Sequence, residues 1–105
     1  MDPSELQVPG AIRLVGTQTE KLRLVHSASA ADFYPAEARR KGLDGLVTVD
    51  LFVNELGLVV EAKVLTESPK GQGFGLAALD VAKTYEFENT LKKLVLISMT
   101  IQFQP

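Results

Sequence analysis

With 105 residues, the chain is long enough for one modest hydrophobic core and too short for two. Its content, 46% hydrophobic and 23% charged, is that of a globular domain, and a net charge of −2 offers no electrostatic hold on nucleic acid or an anionic membrane. The absence of cysteine excludes disulfides and thiolate metal sites but leaves the compartment open, because a disulfide-free domain works in cytosol or periplasm alike.

Residues 1–31 read as an extension or linker, disordered in part or laid along a sheet as an edge strand, ahead of a main domain at 32–105. Pro3, Pro9, Gly10 and Gly16 cut the extension into short pieces, of which residues 12–15 and 22–26 have the composition of brief strands. Met1-Asp2-Pro3 does not begin a signal peptide, and no apolar run approaches a membrane span. If the domain works outside the cytoplasm, its targeting or anchoring element lies elsewhere.

Residues 34–42 (YPAEARRKG) predict a short helix. Pro35 stands where a first-turn proline is tolerated, Glu37 lies near the positive end of the helix dipole, Arg39, Arg40 and Lys41 lie near the negative end, and Gly42 is a natural stop. Residues 45–65 predict a β-hairpin. Val47, Val49, Leu51 and Val53 alternate with Leu46, Thr48, Asp50 and Phe52, and Asn54-Glu55-Leu56-Gly57 supplies a tight reversal. On the return, Val60, Ala62 and Val64 share one face. After a polar turn over 66–73, Phe74, Ala78, Val81, Ala82 and Tyr85 fall at helical spacing, which predicts a helix over 74–87. Residues 88–93 turn the chain. From 94 to 103, Val95, Ile97, Met99, Ile101 and Phe103 alternate with Leu96, Ser98, Thr100 and Gln102, predicting a third strand.

The order helix, strand, strand, helix, strand describes an α+β fold, a two-layer sandwich of a three-stranded antiparallel sheet on two helices. A helix after the second strand sets the third parallel to the second, so the third pairs with the first and the spatial order is 2-1-3. The third strand is then an edge. It carries no charge from Leu94 to Gln104, and charge is the usual protection of an exposed edge.

Convergent chemistry is scarce. His26 is the only histidine and lies in the N-terminal extension, so a triad drawn through Ser68 and an aspartate has nothing to position it, and a zinc site is not expected. Asp50 and Glu61 read as outward-facing surface carboxylates of the hairpin. Gly71-Gln72-Gly73-Phe74-Gly75 stands between strand and helix, where phosphate loops occur. Leu76 occupies the place of a dinucleotide fingerprint's third glycine, and no Gly-Lys-Ser/Thr follows. Flexible glycines between two elements are the preferred reading, and no catalytic, metal or cofactor site is expected.

In order and spacing, these elements resemble the C-terminal domain of the TonB energy transducers of Gram-negative bacteria. The resemblance runs from Tyr34 to Phe103. Tyr34, Pro35, Ala38, Arg39 and Gly45 match the family's opening Tyr-Pro pair, basic helix and glycine before the first strand. Residues 54–57 match its glycine-centred turn, and residues 59–65 its Val-rich second strand. Ala77, Ala78, Ala82, Tyr85 and Phe87 match the paired alanines and aromatic-x-Phe signature of its second helix. Three departures stand out. Thr66-Glu67-Ser68-Pro69 replaces a common Ser-Ser-Gly, Glu88 and Asn89 stand where a proline is usual, and no glycine turn precedes the last strand.

The resemblance implies a binding module in the periplasm, anchored in the inner membrane beside a proton-driven motor complex through a part of the protein outside these residues. Its implied partner is the TonB box of outer-membrane transporters, an extended segment that joins the sheet as an added strand. The implied pairing edge is Val95, Leu96, Ile97, Ser98, Met99, Thr100, Ile101, Gln102 and Phe103, with Tyr34 and Pro35 as a secondary contact. The inward side chains of that strand also read as core, and both roles hold together when the backbone edge does the binding. Two other uses stand beside this one: an interaction domain of another envelope system (motility, secretion or TolA-like bridging), and a domain appended to a sensor or peptidase. Residues 22–26 pairing with the 95–103 edge would mask the site, or swap into a homodimer.

Overall fold

The computed structural model describes residues 11–105, so the breaks expected at Pro3, Pro9 and Gly10 lie outside the described residues. Two short segments precede the main domain, β1 (Ile12–Arg13) and β2 (Leu22–His26), followed by the helix α1 (Ala36–Arg40). The hairpin strands are β3 (Gly45–Val53) and β4 (Val59–Ser68). The helix α2 (Phe74–Ala82), β5 (Glu86–Asn89) and β6 (Val95–Phe103) complete the chain.

β3 is the centre of the fold because period-two alternation buries its whole odd-numbered face: Val47, Val49, Leu51 and Val53 have no exposed surface. It pairs antiparallel with β4 on one side and along all nine residues of β6 on the other. The order β4–β3–β6 is the 2-1-3 arrangement expected of an α+β sandwich, and β1 extends it by pairing parallel with Val95 and Leu96. Phe74, Ala77, Ala78, Val81 and Ala82 of α2 and Ala38 of α1 close over the apolar face. Gly45 marks how near the layers come, since a Cβ there would lie 2.4 Å from the Phe74 ring. Tyr34, Phe74 and Phe103 form a cluster with ring centroids 5.3–6.0 Å apart.

Four sequence expectations need correction. The second helix ends at Ala82, not Phe87. The Thr84 hydroxyl donates to the Val81 carbonyl (2.7 Å) and accepts from Ala28 N–H (2.9 Å), which closes the helix and ties it to the N-terminal segment. Tyr85 and Phe87 then remain buried by alternating along an extended chain, which explains why helical spacing continued to fit as far as Tyr85.

Residues 88–93 are not one turn. Their start completes β5, which pairs antiparallel with β2, so residues 22–26 do not pair with β6 at all. The turn is confined to residues 90–94. Lys92 takes the left-handed conformation (φ 53°) that a glycine would ordinarily supply. Finally, two register shifts displace Val60 and Leu65 from the β4 alternation. Ala62 and Val64 keep to the helix-covered side, while Val60 stands 55% exposed.

The small sheet is bolted to the hairpin tip. Phe87 N–H donates to the Gly57 carbonyl at 2.8 Å. Gly57 has φ 87°, and a Cβ there would lie 1.8 Å from the Phe87 carbonyl oxygen, so only glycine fits. Asn89, the one buried polar residue of the described chain, donates from Nδ2 to the carbonyls of Asn54 (2.9 Å) and Lys93 (2.8 Å). Its Oδ1 accepts from the N–H groups of Leu91 and Lys92, both at 3.1 Å.

Replacing Asn89 by alanine strands those buried backbone groups and is expected to cost about 2 kcal/mol or more, read as a lower urea midpoint. A second test uses Tyr85, whose phenol is raised above the ordinary 10.0 by burial. The unfolded chain releases that proton first, so the contribution is fully present below the unfolded value and lost as pH rises through the folded one. Urea midpoints of the wild-type chain should therefore fall more steeply as pH rises above about 10 than those of Tyr85→Phe.

Candidate binding edge

The direction of each backbone group on β6 follows from its two neighbours. Ile12 N–H donates to the Leu94 carbonyl (3.0 Å) and Leu14 N–H to the Leu96 carbonyl (2.9 Å). Even-numbered residues therefore point their backbone away from β3, and the alternation carries this on to Ser98, Thr100 and Gln102. The chain leaves β6 at Leu14 for a 3₁₀ turn over Gly16–Lys21, so β1 covers the start of the edge and not the remainder. The edge read as exposed is thus occupied at Val95 and Leu96, where β1 is the N-terminal edge strand that the extension was expected to offer.

The side chains of β6 divide by face. Val95, Ile97, Ile101 and Phe103 are core, and Met99 is half-buried beside it. Ser98, Thr100 and Gln102 are exposed on the helix-free face, and Leu96 is half-buried there. Tyr34 also belongs to the core. Its ring packs on Phe103, its hydroxyl donates to the Leu43 carbonyl, and the Arg39 guanidinium lies 4.9 Å above it. Of the Tyr34–Pro35 pair, Pro35 is the more accessible, half-exposed against Gly73.

The two borders of the main sheet are built differently. β4 carries Glu61, Lys63 and Glu67 and is bent by two register shifts, the usual guards against unwanted pairing. β6 has no charged residue and no register shift against β3. An extended segment thus finds a straight, unguarded ladder only on the β6 side.

Sequence reasoning missed a polar cluster at the covered part of this edge. Arg13 Nη2 lies 3.0 Å from Asp50 Oδ2 and its Nη1 donates to Ser98 Oγ at 3.2 Å, while the Ser98 hydroxyl donates to Asp50 Oδ1. The Asp50 side chain is 14% exposed and that of Arg13 47%. An isolated acid amid the apolar alternation of β3 was the available signal, and Arg13 had none.

The other candidates do not assemble. His26 stands opposite Glu86 in the small sheet, whereas Ser68 ends β4 in the main one. Gly73 caps α2 at φ 86°, and a Cβ on Gly75 would meet Glu67 Oε1 at 2.6 Å, so the glycine stretch accommodates a turn and a carboxylate. A groove of about 250 Å³ between β4 and α2, lined by Val59, Val60, Ala62 and Leu79, carries only Glu61 and Lys83 as charged groups. Among the described residues, no three acidic or histidine side chains gather to hold a metal ion, and no helix is long and apolar enough to cross a membrane.

Residues 30–105 match the model of the family described as Gram-negative bacterial TonB protein C-terminal. Among solved structures, the chain is similar to the C-terminal domain of Pseudomonas aeruginosa TonB, determined in solution by NMR. The TM-score is 0.64 at 18% identity, covering 89% of this chain and 92% of that one. A comparison with curated proteins gives no match.

Proposed function

This chain belongs to the Gram-negative TonB C-terminal family, and from that premise we propose that it is the partner-binding domain of a periplasmic energy transducer. In this reading it couples an inner-membrane, proton-driven motor to outer-membrane transporters by taking up the TonB box as an added strand. The anchor and the contact with the motor belong to a part of the protein outside these residues. The binding edge is β6 from Ile97 to Phe103, with Val95 and Leu96 joining when β1 gives way and Pro35 flanking the far end.

The contrast between the two sheet borders carries this reading. Strand addition takes its affinity from main-chain hydrogen bonds and needs a straight row of unpaired donors and acceptors. The outward groups of Ser98, Thr100 and Gln102 supply that row, on a strand held in register by nine cross-strand pairs with β3. The guarded β4 border supplies neither straightness nor neutrality.

Titrating the labelled domain with a TonB-box peptide should concentrate amide shift changes on residues 97–103. Thr100→Pro removes one outward donor without touching a bond to β3. It should weaken the peptide about tenfold or more while changing stability by no more than about 1 kcal/mol. Shifts scattered over the surface, or unchanged affinity in the proline variant, would reject strand addition at this edge and direct the search to other envelope partners.

A further inference from the structure

We infer that Asp50 and Ser98 form a subsite for a basic side chain carried by the added strand, and that Arg13 of β1 is its built-in occupant. The inference rests on the strand-addition reading and names the chemistry of the partner. Main-chain bonding accepts any sequence, so selectivity must come from side chains on either face of the added strand. β1 displays what this position of the edge accepts. Leu14 is turned into the core, 4% exposed, while Arg13 reaches over β6 to the helix-free face.

The electrostatics at this position are specific. Asp50 is the sole acid on β3, and β6 has no charged residue. In the ladder Asp50 stands between Lys63 of β4 and Ser98 of β6. The Ser98 hydroxyl donates to Asp50 and accepts from Arg13, so the pair presents one anionic and one neutral acceptor to a cation arriving across β6. An added strand lies two ladder spacings from β3, roughly 10 Å, which a long basic side chain bridges and a short polar one does not. β1 is also poorly fastened for a strand, pairing at two residues, and the Arg13 guanidinium is half-exposed. A segment with alternating apolar, basic and apolar residues can replace it and regain the same contacts.

The test uses the full chain with Arg13→Ala, which empties the subsite, and two synthetic peptides of this chain's residues 8–16. One peptide is unaltered and the other carries Arg13→Glu. The unaltered peptide should shift the amides of residues 94–98 and bind about tenfold more tightly than the glutamate peptide. Adding Asp50→Asn to the chain should bring that ratio to about one. Should Asp50→Asn fail to fold, judged by amide dispersion, Ser98→Ala takes its place and should lower the ratio. Equal binding of the two peptides to the Arg13→Ala chain, or a preference that survives Asp50→Asn, would overturn the subsite. A TonB-box peptide added to the same samples separates the two readings. If it shifts residues 97–103 while the paired peptides bind equally, only the subsite falls, and if no peptide perturbs β6, strand addition falls with it.

Discussion

The contact on which the arrangement depends is the one between the hairpin tip and the segment after α2. Gly57 and Phe87 meet so closely that no side chain fits between them. Beside them, a single asparagine, Asn89, satisfies two carbonyls and two N–H groups from two stretches of chain, the hairpin tip and the turn before β6. A buried amide with all its hydrogen-bonding capacity used is both stabilising and specifying, because any shift of one stretch leaves the other unpaired. Its consequences run both ways along the sequence. It turns residues 86–89 into a strand, on which β2 docks, and it shapes the turn that delivers β6 into register with β3. The candidate edge therefore owes its register to a polar contact just ahead of it in sequence, tied to the distant hairpin tip through Asn54.

This also explains which parts of the fold were legible beforehand. The hairpin, α1, the start of α2 and β6 follow from periodicity and local turn chemistry, and the 2-1-3 order follows from their succession. Three features escaped for one reason: each is decided by a tertiary partner. Tyr85 suits the helical spacing and, with Phe87, the alternation of an extended segment, and the Thr84 hydroxyl with the Gly57 carbonyl decides between them. Residues 22–26 look able to pair with any edge, and β5, itself unforeseen, takes them. The lack of a glycine before β6 is visible in the sequence, but the device that replaces it is not. Lys92 adopts a left-handed conformation because Asn89 Oδ1 holds its N–H. At the candidate edge, the strand, its neutrality and an N-terminal segment laid along the sheet were legible, whereas the role of Tyr34 as a packed core ring, and the end of that cover at Leu96, were not.

A sheet with one guarded and one unguarded border is an asymmetric object, and the asymmetry has a cost. An uncharged, unbent edge invites association of any kind. The chain manages that exposure partially and reversibly. β1 covers the beginning of β6 with a minimal parallel pairing, and the cross-sheet contact of Arg13 with Asp50 and Ser98 fastens it from the other face. Ion pairs with one half-exposed partner contribute about 1 kcal/mol or less. The clasp is thus strong enough to bias the edge toward self-pairing and weak enough to be exchanged.

That balance bears on what an added strand must supply. In the proposed binding, no pairing with β1 has to be broken along residues 97–103, so a partner would form its first main-chain bonds against Ser98, Thr100 and Gln102. Extension toward Leu96 and Val95 then exchanges bonds one for one with β1, a process with little net main-chain energy in either direction. What remains to decide the outcome is the side-chain complement, an apolar residue for the place of Leu14 and a long cation for that of Arg13. On this account affinity comes from the open part of the edge and selectivity from the covered part, and the same nine-residue strand serves both because its neighbour β3 holds it rigid along its whole length.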